Sequence, residues 1–161
     1  MKIVGLDIGT TTISGVLMDG VSGSCLETIT LPNAAHLPAQ LPYEDLQDPE
    51  IVLETCRKIL SQFSAESDQL GGLGLTGQMH GILYVNATGT AASPLFTWQD
   101  GRGNLAYRNA LSYAEQLSAL TGYRMATGYG LTTHYFNLEN NLVPHDAASI
   151  VTITDYIAMR L

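Results

Sequence analysis

A short segment near the N-terminus, LDIGTTT, combines a carboxylate, a glycine and three successive threonines. Asp7 closes an apolar strand pattern, and Gly9 removes a side chain where the backbone must bend or approach a ligand. The hydroxyls and backbone N–H groups of Thr10, Thr11 and Thr12 can surround an anionic oxygen without a formal positive charge. An adjacent carboxylate can hold Mg²⁺ through water, because this ion takes one or two carboxylates together with phosphate oxygens. The segment is typical of a phosphate site, and a plain hairpin with threonines at its strand ends is the alternative.

A second polar segment, GQMHG at residues 77–81, lies between two apolar runs. It contains no Asn-Gly or Pro-Gly turn signal, so an ordinary turn does not explain it. Met79 offers a soft apolar surface, and His80 can donate or accept a hydrogen bond. A core methionine beside a hydrogen-bonded core histidine is the alternative to a binding role.

The elements that must position these segments follow a mixed α/β pattern. Strands are predicted at 2–8, 13–19, 24–32, 70–76, 82–86, 93–98 and 149–154, and helices at 49–63, 104–119, 133–142 and, capped by Asp155, 156–161. The first three strands are joined by tight turns, which predicts an antiparallel meander. Asp48 and Pro49 form a helix start, and the glycines of the strand at 70–76 predict close packing over that strand. The expected architecture is one mixed sheet with helices on its faces.

Composition and charge exclude several classes of protein. The chain has 161 residues, of which 45% are hydrophobic and 14% charged, as expected for one domain with a packed core. The net charge of −8 argues against nucleic acid as a partner, and no apolar run is long enough to span a membrane. Cys25 and Cys56 have no metal or redox spacing, which predicts reduced thiols in a cytoplasmic protein. The quaternary state stays open, a homodimer included.

Six segments together resemble one protein family. The stretch GLDIGTTTISGVLMD is similar to the first phosphate motif of the FGGY carbohydrate kinases, within the actin, Hsp70 and sugar-kinase superfamily. In the same order along the chain, QDPE, GLTGQMHG, LFTWQDGRG, MATGYG and ITDYIAMRL resemble later segments of that family. The residues of GQMHG and WQDGR are most similar to those of the sedoheptulokinase and xylulokinase branches. The resemblance implies a ribonuclease H-like α/β fold, with residues 1–161 as the N-terminal domain and a C-terminal ATP-binding domain absent from the chain.

The resemblance also implies a reaction and its cofactors. The γ-phosphoryl group of ATP would pass to a primary hydroxyl of a ketose such as sedoheptulose or xylulose. The hairpin of Gly9, Thr10, Thr11 and Thr12 would grip the phosphates, and Asp7 would assist Mg²⁺ through water. Because the family's general base follows in the second domain, the 161-residue chain alone is expected to be inactive.

The same resemblance implies a sugar-binding set: Gln78, Met79, His80, Trp98, Asp100, Arg102 and Tyr129. Trp98 would offer a flat plate to sugar C–H groups, Asp100 would accept from hydroxyls, and Arg102 would bind a carboxylate or fix Asp100. The alternative is a buried tryptophan beside a structural Asp–Arg pair. The Asp7 hairpin and the loops of His80 and Trp98 are expected to converge at one edge of a single sheet.

Two positions depart from the family pattern. Ser14 stands where many relatives carry Lys or Arg, and His134 stands at the position where a Lys often follows the TG segment. The loss of a cation near the phosphate motif supports a rival interpretation, a noncatalytic sugar-binding or regulatory protein of the same fold. A cytoskeletal or chaperone relative would share the Asp7 hairpin but would not explain GQMHG or WQDGR.

Overall fold

The computed structural model describes residues 1–65, 70–108 and 111–161. In chain order the elements are β1 (Lys2–Ile8), β2 (Thr12–Asp19), β3 (Cys25–Pro32), β4 (Leu46–Gln47), α1 (Pro49–Ala65), β5 (Leu70–Gly77), β6 (Leu83–Asn86), β7 (Leu95–Phe96), a 3-10 helix (Gly101–Asn104), α2 (Tyr113–Thr121), α3 (Gly130–Glu139), β8 (Ala147–Val151) and α4 (Ile153–Arg160). None of the helices in these described ranges is long and apolar enough to cross a membrane.

The chain divides into two compact units. Unit 1 consists of Met1–Ala35, Pro49–Gln78 and Ile153–Leu161, and unit 2 consists of His36–Asp48 and Met79–Thr152.

Unit 1 is built on a four-stranded sheet in the order β3-β2-β1-β5. β1 pairs antiparallel with β2, and β2 pairs antiparallel with β3, which confirms the predicted meander. β5 joins the other side of β1 in parallel, so the sheet is mixed as predicted. A parallel pair needs a crossover connection, and α1 supplies it between β3 and β5.

Both helices of unit 1 lie on the same face of this sheet. Alternation along β1 buries Val4, Leu6 and Ile8 toward α1. At Gly15 of β2, an added Cβ would lie 2.7 Å from the Phe63 ring of α1, so glycine permits this close packing. α4 packs on β5 at Gly77, where an added Cβ would lie 3.1 Å from Thr154.

The opposite side of the sheet, called here the open face, is lined by Gly5, Asp7, Ser14, Val16, Thr28, Thr30, Gly74 and Thr76. Among the described residues no atom lies within 4 Å of the Cβ position of Gly72, and the nearest atom to that of Gly74 is a carbonyl oxygen of β1 at 4.0 Å. In the part of the chain that the structure describes, the flanking helices predicted for this sheet are therefore present, and both lie on the face opposite the open face.

Unit 2 contains two separate two-stranded sheets, β4 with β7 and β6 with β8, both antiparallel. An isolated bridge between Ile82 and Phe96 adds to these ladders. Ile82, Tyr84 and Phe96 form a buried cluster, against which Leu46 and Val143 pack. The predicted strands at 82–86, 93–98 and 149–154 thus exist in shortened or shifted form, but they do not extend the sheet of unit 1.

The helices of unit 2 begin later or earlier than the apolar pattern predicts. The predicted helix at 104–119 begins only at Tyr113, because Ser112 is its N-cap. Ser112 Oγ accepts from the backbone N–H of Glu115, and the Glu115 carboxylate accepts from the backbone N–H of Ser112 at 2.7 Å. This reciprocal capping box determines where α2 begins. α3 begins at Gly130, three residues before the predicted start.

α4 also begins earlier than predicted. The prediction places Asp155 as the cap of this helix, but Asp155 lies inside the first turn because the helix starts at Ile153. A carboxylate in the first turn still interacts favourably with the helix N-terminus.

Candidate functional site

The turn between β1 and β2 is a tight hairpin formed around Gly9. The N–H of Gly9 donates to the carbonyl oxygen of Thr12 at 2.9 Å. An added Cβ at Gly9 would lie 2.7 Å from that oxygen, so only glycine fits the turn. Thr11 and Thr12 are exposed and Thr10 is partly exposed, which leaves this rim of the hairpin accessible to a ligand.

Asn33, which the sequence interpretation missed, clamps this hairpin from the end of β3. Its side-chain Nδ2 donates to the carbonyl oxygen of Gly9 at 2.9 Å. Its backbone N–H donates to the carbonyl oxygen of Thr11, also at 2.9 Å. Its Oδ1 accepts from the N–H of Ala35 at 3.2 Å. An asparagine directly after a strand is a common turn residue, so the sequence contained no signal for this role.

Asp7 lies near the carboxyl end of β1 with its side chain exposed. It is in register with Ser14 on one side and with Thr76 on the other. Ser14 Oγ and Thr30 Oγ1 share a hydrogen bond of 2.9 Å on the next strand pair. One carboxylate beside hydroxyl oxygens is a donor set that fits Mg²⁺, which prefers oxygen ligands and keeps several waters.

The kink in GQMHG is located at His80. Its φ of 69° lies in the left-handed region, which is uncommon for a residue other than glycine. Such a conformation costs on the order of 1–3 kcal/mol and concentrates at ligand-binding positions. The N–H of Gly81 donates to the carbonyl oxygen of Met79 across the kink at 2.9 Å, and the Met79 side chain is 70% exposed.

Glycines allow three loops of unit 2 to pack against one another. Gly128 has a φ of 78°, and an added Cβ would lie 2.8 Å from the carbonyl carbon of Trp98 and closer still to its oxygen. An added Cβ at Gly130 would lie 3.0 Å from the carbonyl oxygen of His80. Because these glycines flank Tyr129, the TGYG segment brings an aromatic ring between the loops that carry His80 and Trp98.

Four exposed side chains lie on these three loops and are called here the aromatic platform: Met79, His80, Trp98 and Tyr129. The rings of His80 and Tyr129 stack with centroids 4.4 Å apart and planes inclined by 16°. Trp98 is 48% exposed and Tyr129 is 38% exposed. An exposed surface of flat rings with an imidazole at one edge can bind a ring that has both C–H and hydroxyl faces.

Asp100 and Arg102 lie beneath the surface of unit 2. Asp100 is 0% and Arg102 is 3% exposed. Arg102 Nε donates to Asp100 Oδ1 at 2.6 Å and Nη2 donates to Oδ2 at 3.1 Å, a bidentate ion pair. The guanidinium carbon lies 4.2 Å from the centroid of Phe96, in cation–π contact. This geometry favours the structural Asp–Arg pair, and direct sugar contact by these two side chains stays a prediction.

The ion pair is the centre of a buried polar network. Arg102 Nη1 donates to Asn137 Oδ1 at 2.5 Å, and Asn137 Nδ2 donates to the Tyr84 hydroxyl at 3.2 Å. The Tyr84 hydroxyl also shares a hydrogen bond of 2.9 Å with His134 Nδ1. Burial raises the pKa of Tyr84 and lowers the pKa of His134, so it favours the neutral form of both side chains. His134, at the position where relatives often carry a lysine, is therefore hydrogen-bonded to this network.

The same network extends to Asp45, the residue that precedes β4. The backbone N–H of Asp45 donates to Asp100 Oδ2 at 3.3 Å, and the Thr97 hydroxyl donates to the Asp45 carboxylate. Asp100 Oδ1 also accepts from the backbone N–H of Arg102 and caps the 3-10 helix. The loop that carries Trp98 is therefore held on both sides by buried polar contacts.

The predicted site residues fall into two groups, one in each unit. Asp7 and the hairpin residues belong to unit 1, where Gln78 donates its N–H to the carbonyl oxygen of Ile8 at 2.8 Å. Met79 and all later members of the predicted set belong to unit 2. Trp98 follows β7, which pairs with β4 and not with the sheet of β1. The expectation that one sheet bears all three loops is therefore wrong.

These features match a known class of fold. The chain superposes on the crystal structure of xylulose kinase from Rhodospirillum rubrum with a TM-score of 0.80 and 20% sequence identity, over 100% of this chain and 34% of that chain. The fold is thus the ribonuclease H-like α/β fold of the sugar kinases.

Sequence comparison identifies the family. Residues 2–161 match the N-terminal domain of the FGGY family of carbohydrate kinases, and the chain belongs to this family. It is 27% identical to sedoheptulokinase from Mus musculus, over 98% of this chain and 37% of that protein. It is 26% identical to xylulose kinase from Staphylococcus xylosus, over 89% of this chain and 32% of that protein. The chain spans about a third of the length of these relatives.

Proposed function

We propose that the complete protein containing this domain is an ATP-dependent kinase that phosphorylates a primary hydroxyl of a ketose. The observation that carries the proposal is the exposed aromatic platform with His80 in a strained backbone conformation. Membership of the FGGY family and the names of its relatives, sedoheptulokinase and xylulose kinase, support a ketose as the acceptor. The free thiols of Cys25 and Cys56 suit a cytoplasmic protein.

In this proposal the platform binds and orients the sugar. Trp98 and Tyr129 cover C–H faces of the ring, Met79 adapts to its outline, and His80 hydrogen-bonds a hydroxyl. The buried network around Asp100 and Arg102 positions the Trp98 loop, and direct sugar contact by Asp100, Arg102 or Gln78 stays a prediction. Such fixed orientation lowers the barrier to phosphoryl transfer because the reacting atoms need not be ordered in the transition state.

The Asp7 hairpin binds the phosphate groups of ATP. Backbone and hydroxyl groups from Gly9 to Thr12 hold phosphate oxygens, and Asn33 keeps the turn in shape. Mg²⁺, when bound, would be held through Asp7 and would neutralise charge on the phosphates. The general base and the adenine pocket lie in the C-terminal domain, so the 161-residue chain alone is inactive.

The test is an ADP-release assay on the complete protein with ATP, Mg²⁺ and a panel that includes sedoheptulose and xylulose. We expect turnover with at least one ketose, and absence of turnover with every sugar would refute the kinase assignment. His80→Ala is expected to weaken sugar binding about tenfold or more, equal to about 1.4 kcal/mol, while ATP binding changes little. His145→Ala, which removes an exposed histidine before β8, is the matched control. Equal sugar affinity in the two variants would refute the platform.

A noncatalytic sugar-binding protein is the second candidate, because Ser14 leaves Asp7 in register with a hydroxyl where relatives carry a cation. In that case the complete protein binds a sugar in calorimetry but releases no ADP, and its sequence lacks the general-base aspartate beyond residue 161. The two candidates are thus separated by one binding measurement and one rate measurement.

A further inference from the structure

Three elements of unit 2 each position one ring of the aromatic platform. His80 lies just before β6, Trp98 lies just before the 3-10 helix, and Tyr129 is the N-cap of α3. Each element also contributes to the buried polar network: Tyr84 from β6, Arg102 from the 3-10 helix, and His134 and Asn137 from α3. The network therefore connects the elements that set the relative positions of the three rings.

The hydrogen bonds of this network run in one direction. A guanidinium has donors and no acceptor, so Arg102 Nη1 donates to the carbonyl oxygen Oδ1 of Asn137. The amide nitrogen of Asn137 is thereby directed at Tyr84, and it donates to the hydroxyl oxygen at 3.2 Å. Among the described residues, the Tyr84 hydroxyl has one other partner, His134 Nδ1 at 2.9 Å, so the hydroxyl proton is donated to that nitrogen. His134 Nδ1 is therefore an acceptor, and the neutral ring carries its proton on Nε2.

Protonation of His134 would break this arrangement. An imidazolium donates from both ring nitrogens, so the Tyr84 oxygen would then face two donors. The hydroxyl proton of Tyr84 would have no acceptor left among the described residues, and Tyr84 is only 1% exposed to water. A buried donor without a partner is destabilising. Because burial lowers the pKa of His134, the complete arrangement is present above that pKa and is lost as the pH falls through it.

We propose that His134 is a positioning residue for the platform, and that the protein binds its sugar more tightly when this histidine is unprotonated. As an acceptor, His134 fixes Tyr84 and, through Asn137 and Arg102, the three elements that carry the rings. His134 itself contacts neither the sugar nor the phosphates in this proposal. The inference rests on the proposed function, because it assumes that the platform binds a sugar, and it adds a proton-dependent property of that site.

Other titratable groups lie on the elements around His134. They are Tyr84 on β6, Asp100 and Arg102 at the 3-10 helix, Tyr113 and Glu115 on α2, Tyr135 and Glu139 on α3, and the platform residues His80 and Tyr129. Tyr113 of α2 contacts the rings of Tyr135 and Phe136, and Glu139 accepts from the hydroxyl of Tyr107. His80 is a second histidine in the proposed site, so the test compares variants at position 134 instead of the unmodified protein alone.

The first experiment measures the sugar affinity of the complete protein by calorimetry at about pH 8 and about pH 5, on either side of the ordinary histidine pKa. The probe is xylulose or sedoheptulose, whichever binds more tightly at the higher pH. The unmodified protein should bind more weakly at the lower pH, and the ratio of its two dissociation constants should exceed that of His134→Gln by about threefold or more. The glutamine oxygen can accept from Tyr84 but takes up no proton. His145→Gln replaces an exposed histidine, and this matched control should keep the ratio of the unmodified protein.

Two further measurements separate positioning from a general loss of structure. His134→Leu removes the acceptor and should weaken sugar binding about fivefold or more at both pH values, and His134→Gln should recover most of this loss at the higher pH. Nitrogen NMR spectra of the complete protein with isotope-labelled histidine report the tautomer directly. The signals that are missing in His134→Gln belong to His134, and they should show a proton on Nε2 and none on Nδ1 in the neutral ring.

Each readout can overturn the proposal. An equal ratio of dissociation constants in the unmodified protein and His134→Gln would overturn it, and so would a proton on Nδ1 of the neutral His134 ring. If His134→Gln does not fold, Tyr84→Phe replaces it, since this variant removes the hydroxyl and should also lower the ratio. A protein that phosphorylates a ketose without this difference would refute the inference and leave the proposed function intact. A protein that binds neither sugar would refute the proposed function, and the NMR spectra would still decide where His134 carries its proton.

Discussion

Replacing Arg102 by methionine should destabilise the protein strongly, because it leaves the buried carboxylate of Asp100 without its cationic partner. Asp100 is fully buried, and both of its oxygens accept from the guanidinium. Among the described residues, the carboxylate then keeps only backbone donors, the N–H of residue 102 at 3.1 Å and that of Asp45 at 3.3 Å. The Oδ1 of Asn137 loses its donor as well.

The expected magnitude follows from these contacts. Breaking a buried ion pair by removing one partner costs about 3–5 kcal/mol in the free energy of unfolding. Since each kcal/mol shifts Tm by about 2–4 °C in a protein of 150–250 residues, the loss in Tm is on the order of 6–20 °C.

The assay is urea and thermal unfolding followed by far-UV circular dichroism, with Arg108→Met as the matched control. Arg108 makes its ion pair with Glu139 at 3.9 Å and is 80% exposed, so its loss should cost about 1 kcal/mol or less. Adding Asp100→Leu to Arg102→Met should recover part of the stability, because the stranded charge is then gone. Equal unfolding free energies for Arg102→Met and Arg108→Met would refute the buried pair, and so would a double variant less stable than Arg102→Met.

Three further predictions test other parts of the structure. Gly128→Ala should weaken sugar binding and lower Tm more than Gly89→Ala, measured by calorimetry and thermal unfolding. Both glycines have a φ near 77°, but only Gly128 is crowded, by Trp98, and equal effects would contradict the close loop contact. Asn33→Ala should cost about 1–3 kcal/mol in unfolding free energy and weaken ATP binding, because it leaves the Gly9 turn unclamped, whereas unchanged ATP affinity would argue against the hairpin as the phosphate site. Burial raises the pKa of Cys56 to about 11, so the unfolded chain loses this proton first and stability should fall as pH rises from about 9 to 11. Cys56→Ala should flatten this slope in unfolding measurements at several pH values and Cys25→Ala should not, and an identical slope in both variants would contradict the burial of Cys56.

Local patterns were enough to predict the frame of unit 1. The meander of β1, β2 and β3 and the start of α1 at Pro49 follow from alternating apolar residues, tight turns and a proline at a helix start. The same locality explains why α2 was placed too early, since leucines continue at helical spacing before Ser112. The Ser112–Glu115 capping signal was present in the sequence and should have outweighed them.

The family was determined by the sequence alone, and the sequence alone predicts a phosphate site at the Asp7 turn and a binding role for GQMHG, because all three depend on residue types at fixed short spacing. Only the tertiary structure decided that His80 adopts a left-handed conformation and stacks on Tyr129, and that Asp100 and Arg102 are buried together with Asn137. These contacts join residues about 35 to 50 positions apart. Local sequence patterns do not indicate which distant loops come into contact or which side chains are buried. Burial decides whether a carboxylate and a guanidinium bind a ligand or each other, and burial is a property of the folded chain.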